Sequence, residues 1–225
     1  MFIGHYAPAF VAAAVGRRRP ALGALFVAAQ LVDFAFFALA LIDVEHFRLV
    51  PGTTPQTSLD LYHMPYTHSL VGTVAFAAIW AAGARALGQG WRVSLTGAAV
   101  VASHWLIDLI VHLPDLTIAG SPPKLGLGLW AQPWVERPLE LAITYGAMAC
   151  YLRRTRGPAG PATVLAALLL VAQAIDWLGA VPVRIVDPVP ASIPLLALSA
   201  FAALALAAWW VGQSRRGAGP AVTRL

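Results

Sequence analysis

Long apolar runs separated by short polar connections dominate this chain. A run of about 20 apolar residues can cross a bilayer as a helix, which satisfies its own backbone hydrogen bonds inside hydrocarbon. The pattern predicts seven apolar helical segments, at residues 2–16, 21–43, 69–87, 93–113, 138–152, 163–181 and 192–211. The first and fifth are shorter than a full span, so they would tilt, extend into flanking residues or sit against neighbouring helices.

These segments predict an all-α fold, a polytopic integral membrane bundle of about seven helices. A single transmembrane domain would cover residues 1–211, followed by a basic cytoplasmic tail over 212–225. Two connections, 44–68 and 114–137, are long, rich in Pro and Gly, and carry titratable residues. Connections of that length in a compact bundle are often functional.

Composition supports the membrane interpretation. Hydrophobic residues make up 59% of the 225 positions and charged residues 11%, whereas soluble domains contain about 25% charged residues. The net charge of +5 does not indicate a nucleic-acid partner, because the basic residues lie at the ends of apolar segments. Eleven of the 15 basic residues fall on one side of the predicted bundle, which the positive-inside rule assigns to the cytoplasm. The N-terminus and both long connections then face outward.

One predicted helix carries a stripe of ionisable side chains. His104, Asp108 and His112 follow one another in steps of four residues, which keeps them on one face of the helix. Ionisable groups in hydrocarbon are costly and usually mark a functional site. The stripe is consistent with a metal site, a proton path or a buried polar network, and a hydrogen-bonded pair of helices is the structural alternative.

Ionisable side chains of several predicted helices share one depth in the bilayer. At about 1.5 Å of rise per residue, those of four helices lie ~18–24 Å from the cytoplasmic ends. They are His5, Asp33, His104, Asp108 and Glu140. Unrelated polar positions would not share a layer, so we expect these side chains to converge in the outer half of the membrane.

The segment before the third apolar run adds two histidines, His63 and His68, on either side of Pro65. Because a proline disfavours helix at the residue before it, a loop should lead into the helix here. Thr67 or Ser69 is then a candidate N-cap, and His68 would enter the membrane at the start of a helix.

Other titratable residues should lie farther from this layer. We expect Asp43, Glu45 and His46 at the outer surface and Glu136 at the membrane interface. His112 is one turn beyond Asp108, so it should lie at the rim of the site.

The combination of Gly4-His5, the helical Asp33, the segment His63…Thr67-His68-Ser69 and Ser103-His104-x3-Asp108 resembles a known family. The family is that of the bacterial inner-membrane predicted metal-dependent hydrolases, which includes the LexA-regulated membrane hydrolases. The order of the residue types is more distantly similar to zinc-dependent phospholipase C. Met64-Pro65 stand where the loop of the family often has Arg-Gly.

The resemblance implies a ligand set for one to three ions of zinc or another divalent metal. The implied ligands are His5, Asp33, His63, His68, His104 and Asp108. It also implies a multi-pass protein of the bacterial inner membrane, with the site facing the periplasmic side.

The function predicted from these residues is hydrolysis of a phosphoester or a similar bond in a lipid or lipid-linked substrate. A water activated by the metal would attack this bond. Asp108 or Glu140 would be the general base, or a bridging ligand. A metal-ion or proton transporter is one alternative, because charged residues in a bundle also form permeation paths. A membrane protein with a purely structural metal is the other.

Overall fold

The computed structural model describes residues 2–15, 21–179 and 181–217. Within these ranges the chain forms eight α-helices and four short β-strands. The helices are α1 (Tyr6–Ala14), α2 (Leu22–Ala29), α3 (Leu31–Leu41), α4 (Leu70–Ala86), α5 (Trp91–Val111), α6 (Pro133–Arg154), α7 (Ala159–Leu178) and α8 (Ser192–Ser214). The strands are β1 (His46–Leu49), β2 (Leu59–His63), β3 (Thr155–Arg156) and β4 (Arg216–Gly217). The end of the first predicted segment, position 180 and residues 218–225 of the tail lie outside the described residues.

The all-α prediction is confirmed, since each of the seven predicted apolar segments contains a helix. The second segment is divided into α2 and α3, which meet at an angle of 54°. Gln30 lies at the break, is fully buried, and donates from Nε2 to the carbonyl oxygen of Phe2 at 3.3 Å. The fifth segment is longer than predicted, because α6 begins at Pro133 and continues through Pro138.

Three helices, α5, α7 and α8, are long and apolar enough to span a membrane. The bent pair α2 and α3 makes a fourth candidate if it counts as one span. Helix α4 has 17 residues and α1 only nine, which is short against the roughly 20 residues of a full span. Seven complete spans are therefore not confirmed.

Helix α1 lies in the centre of the protein, where it contacts α2, α5 and α6. Its aromatic side chains form the middle of the main apolar core. Tyr6 stacks on Phe26 of α2 with ring centroids 4.2 Å apart, and Phe10 meets the same ring edge-on at 5.2 Å. Because α1 is held on several sides, the turn of 3-10 helix before it, which ends at His5, has a fixed position.

The connection 44–68 folds into an antiparallel hairpin of β1 and β2. Its apolar face carries Phe47 and Leu61, which join a second buried cluster with Phe36 of α3 and Trp105 of α5. Its outer face carries Arg48, whose Nε donates to Asp60 Oδ2 at 2.7 Å, and this carboxylate raises the pKa of the Arg48 guanidinium. The hairpin therefore covers the ends of α3 and α5.

The start of the predicted tail is ordered. Helix α8 continues to Ser214, and β4 then pairs with β3. Arg215 ties the two segments together by donating from Nε to Thr155 Oγ1 at 2.9 Å and from Nη2 to the Thr155 carbonyl at 2.9 Å.

Candidate metal centre

Five of the residues singled out in the sequence meet at one place in the structure. They form two groups of three, in each of which the candidate ligand atoms lie within 4.8 Å of one another. The first group is His5, His104 and Asp108, and the second is Asp33, His68 and His104. His104 belongs to both groups, so this is one continuous centre.

The carboxylate of Asp108 lies between several imidazoles. Its Oδ1 is 3.0 Å from His5 Nε2 and 3.4 Å from His112 Nε2. Its Oδ2 is 3.0 Å from His104 Nε2 and 3.8 Å from His68 Nε2. Asp108 is 2% exposed, so this arrangement is shielded from bulk water.

Asp33 closes the centre from the side of α3. Its Oδ1 lies 3.3 Å from His68 Nε2 and 3.5 Å from His104 Nε2. The rings of His5 and His104 are stacked with centroids 3.9 Å apart. Four separate elements of the chain thus supply side chains to a volume only a few ångströms across.

Local structure explains how each side chain reaches the centre. Asp33 lies in the first turn of α3, directly after the bend. His68 precedes the N-cap of α4, Ser69, whose hydroxyl accepts a hydrogen bond from the Gly72 amide at 3.0 Å. The prediction of a helix start with Thr67 or Ser69 as the cap is therefore confirmed for Ser69.

A buried hydrogen-bond relay holds His68. Its Nδ1 lies 2.9 Å from Thr67 Oγ1, and the same hydroxyl is 2.6 Å from Glu45 Oε2, to which it donates. Glu45 Oε1 also accepts from the backbone amides of Tyr66 and Thr67, at 2.8 and 3.0 Å. Because the hydroxyl proton goes to Glu45, the hydroxyl oxygen accepts from Nδ1–H, and Nε2 is the nitrogen directed at the centre.

The expectation that Glu45 lies at the outer surface is wrong. Its side chain is fully buried beneath the hairpin, where it accepts three hydrogen bonds. A buried carboxylate needs such partners to offset the cost of leaving water. Asp43 and His46 do lie at the surface side of the hairpin, and Asp43 is exposed.

Two further imidazoles are oriented in the same way. His104 Nδ1 lies 2.8 Å from the Ala29 carbonyl oxygen, which can only accept, so Nδ1 carries the proton. His112 Nδ1 lies 2.8 Å from Asp115 Oδ1. In each case the opposite nitrogen, Nε2, is directed at Asp108.

His112 is also not at the rim, as the sequence suggested. The side chain is 3% exposed, and its ring lies 4.1 Å from the Trp130 ring. The chain after α5 folds back over it, because the Gly128 amide donates to the His112 carbonyl at 2.7 Å. His112 therefore belongs to the wall of the centre.

These contacts create an electrostatic problem that a cation would solve. The Nε2 atoms of His68, His104 and His112 face carboxylate oxygens. In a neutral imidazole that donates from Nδ1, Nε2 is an acceptor like these oxygens. His104 Nε2 has no hydrogen-bond partner in the described part of the chain, although it is 3.0 Å from Asp108 Oδ2. Acceptors that face one another in a buried site repel unless a proton or a metal ion lies between them.

Two predicted site residues lie outside this centre. His63 is exposed at the end of β2, where its ring stacks against His46 at 5.3 Å, so the structure gives it no part in the cluster. Glu140 of α6 lies beside the centre. Its Oε1 accepts from the amide of Gly4, the residue before His5, at 3.0 Å. Its Oε2 is buried and has no hydrogen-bond partner among the residues described. Glu136, expected at the interface, is instead fully buried one turn away.

A cavity of about 350 Å³ adjoins the centre. Its polar end is lined by His5, Asp33, His68, Asp108, His112, Glu136, Glu140 and Asp176. Its other walls are mostly apolar and come chiefly from α3, α7, α8 and the hairpin, with Gln56 and Thr57 as polar exceptions. The centre therefore has room beside it for another molecule.

The sequence prediction missed Glu45 and Asp115, which orient imidazoles. Asp115 could have been found from its position three residues after His112, a spacing at which side chains can interact. No sequence spacing indicated the role of Glu45, because Glu45 and Thr67 are 22 residues apart in a long connection.

The assignment of a function to this chain rests on the geometry of the site. No protein-family model, curated protein or solved structure matches the chain.

Proposed function

We propose that this chain is a membrane-embedded, metal-dependent hydrolase that cleaves a phosphoester bond in a lipid or lipid-linked substrate. One observation carries the proposal: imidazole nitrogens and carboxylate oxygens converge in a buried centre beside a cavity. The resemblance to inner-membrane metal-dependent hydrolases supports the same assignment.

The donor set fits zinc or a similar divalent ion. Imidazole nitrogen and carboxylate oxygen are ordinary zinc ligands. The outer hydrogen bonds to Ala29, Thr67 and Asp115 are those that metal-bound histidines usually make. His104 has one nitrogen left for the centre, so the two groups of three share a ligand that can serve one ion at a time. Within the range of one to three ions, we therefore expect one ion, at one or the other of the two positions.

The reaction that we propose assigns separate roles to the two carboxylates. A divalent ion in such a site supplies Lewis acidity and makes water a nucleophile at neutral pH. Asp108 is surrounded by imidazoles, which suits a ligand better than a base. Glu140 offers a buried oxygen without a hydrogen-bond partner in the described chain, on the wall of the cavity.

Glu140 is therefore the proposed general base. The oxygen of water forms a bond to phosphorus while the ester P–O bond breaks. One proton of the water passes to the Glu140 carboxylate and then to the departing alkoxide.

For location, we propose the bacterial inner membrane, with the centre in the half of the bilayer that faces the periplasm. The distribution of basic residues supports this orientation. Helices α5, α7 and α8 have the length and composition of membrane spans. We propose that the shorter helices complete a polytopic bundle around the site.

The structure favours a hydrolase over the two alternatives. A transporter needs polar groups on both sides of its site, but α1, α2 and α5 pack into an apolar core beyond His5 and His104. A structural metal is normally closed off by its ligands. Here a cavity of about 350 Å³ adjoins the centre.

The test uses purified protein in detergent or nanodiscs. The metal content is measured and hydrolysis of a phospholipid panel is followed, for the wild type, His104→Ala, Asp108→Ala and the exposed control His63→Ala. We expect at least one ion per wild-type chain, loss of metal and activity in the first two variants, and no change in the control. Metal-free wild-type protein, or activity that survives both changes, contradicts the proposal. Metal-dependent flux into proteoliposomes would instead support a transporter.

A further inference from the structure

The cavity beside the metal centre has a second, apolar end. Its walls there come from one side of α8 together with residues of α3 and α7. The α8 residues follow a helical spacing that places them on one face: Ile193, Leu196, Ala197, Ala200 and Phe201. We call the part of the cavity lined by these residues, Phe37, Ala172 and Ile175 the apolar limb.

The apolar limb reaches the surface between two candidate membrane spans. Ile175 of α7 and Leu196 of α8 both line the cavity, and they are 63% and 67% exposed. Farther along, the same two helices close against each other, because Leu169 and Leu204 belong to one buried core. The limb therefore opens towards the side of the helices, where a bilayer would supply hydrocarbon, and is closed at its inner end.

The limb is shaped by side chains of different size. Phe201 is held by the rings of Phe34 and Phe37, with centroids 5.4 and 6.0 Å away. Ala197 and Ala200, on the same face of α8, have small side chains and leave space in the cavity. A larger residue at either alanine would occupy the cavity directly.

We propose that the apolar limb binds the hydrocarbon chain of the lipid substrate, which enters sideways between α7 and α8. This inference rests on the proposed function, because the limb is continuous with the polar end that contains His5, Asp108 and Glu140. An occupant of the whole cavity must be apolar at one end and polar at the other. The limb would thus select a membrane lipid over a water-soluble phosphoester of the same chemistry.

The experiment fills the limb and compares two substrates. Ala200→Trp places a large ring in the limb, and Ala197→Phe is a milder second variant. Ala202→Trp is the matched control, because Ala202 is two residues away on an exposed face of the same helix. Each protein is assayed with a long-chain phospholipid in nanodiscs and with bis(p-nitrophenyl) phosphate in solution.

We expect both limb variants to lower kcat/KM for the phospholipid by at least about tenfold, the effect of roughly two methylenes that can no longer be buried. Hydrolysis of the soluble ester should fall much less than that of the phospholipid, and the remaining activity also shows that the variants are folded. The control should behave as the wild type with both substrates. Equal loss with both substrates, or no loss with the phospholipid, overturns the inference.

A binding measurement separates this inference from the proposed function. A phospholipid with a photoreactive diazirine in its acyl chain is cross-linked to the wild type and to Ala200→Trp. Labels on peptides with Ile175 or Phe201, lost in the variant, support the limb even if no hydrolysis is found. Hydrolysis without such labels overturns the limb and leaves the hydrolase in place. If neither labels nor hydrolysis are seen, both are contradicted.

Discussion

Replacing Thr67 by valine removes one hydroxyl group from the wall of the metal centre with little change of side-chain volume. That hydroxyl joins Glu45 Oε2, at 2.6 Å, to His68 Nδ1, at 2.9 Å. Glu45 keeps its bonds to the backbone amides of Tyr66 and Thr67 in the variant, since those do not depend on the side chain of Thr67. The change therefore takes one hydrogen-bond partner from each of two buried groups, Glu45 Oε2 and the imidazole of His68.

The effect on stability and on metal affinity can be estimated from the loss of the hydrogen bond at His68 Nδ1. His68 is 4% exposed, so water cannot simply replace the hydroxyl, and an unsatisfied buried group costs about 1–3 kcal/mol of folding free energy. Without a partner on Nδ1 the ring also loses the orientation that directs Nε2 at Asp33. Removal of such an outer partner usually lowers metal affinity by about 10–100-fold.

The assay is a chelator-competition titration with zinc, combined with thermal unfolding of the metal-free protein. Thr67→Ser keeps the hydroxyl and should restore the affinity. Thr144→Val is the matched control, because Thr144 is fully buried in α6 and its hydroxyl has no hydrogen-bond partner among the described residues. If Thr67→Val loses stability but binds zinc as tightly as the wild type, the relay is only structural and the reasoning is wrong.

Four further results are expected from the same geometry. His104→Ala should remove metal from both groups of three, whereas Asp33→Ala should spare the group that does not contain it, as metal analysis will show. Glu140→Gln keeps an acceptor for the Gly4 amide but not the base, so kcat should fall by about 10²–10⁴ at unchanged metal content. Bound metal should be released as the pH is lowered, because imidazoles bind metal only when neutral, and equilibrium dialysis across a pH series measures this. Arg215→Ala should lower the Tm, since the carbonyl of Thr155 loses a donor, at a cost of about 1 kcal/mol.

The helices could be predicted because apolar runs indicate them directly. Each of the seven runs contains a helix, and α6 exceeds its run because Glu136 and Arg137 interrupt the apolar pattern without interrupting the helix. The bend between α2 and α3 could not be predicted. Gln30, at the bend, has apolar neighbours on both sides, and its bond to Phe2 depends on how α1 packs.

The convergence of the site could be predicted from depth alone. His5, Asp33 and His104 lie on different predicted helices, but they are similarly far from the ends that carry basic residues. Because each residue of a helix adds a rise of about 1.5 Å, the number of residues from the end of a helix gives the depth of a side chain. The structure places all three in the two overlapping groups.

Residues carried by loops could not be placed in this way. Glu45 and His63 both belong to the connection 44–68, yet one is fully buried and the other exposed. Their difference arises from the register of the hairpin, in which His46 pairs with His63. The rim position predicted for His112 is wrong for a similar reason, because the chain after α5 turns back over this residue.

The most direct test is a crystal structure with anomalous data at the zinc absorption edge, from protein purified with zinc. We predict an anomalous peak about 2.0–2.2 Å from the Nε2 atom of His104 and from an oxygen of Asp108 or Asp33. An ordered centre without such a peak, with His104 and Asp108 still about 3 Å apart, would contradict the account. The imidazoles would then be protonated partners of the carboxylates, and the centre would be a buried polar network without metal.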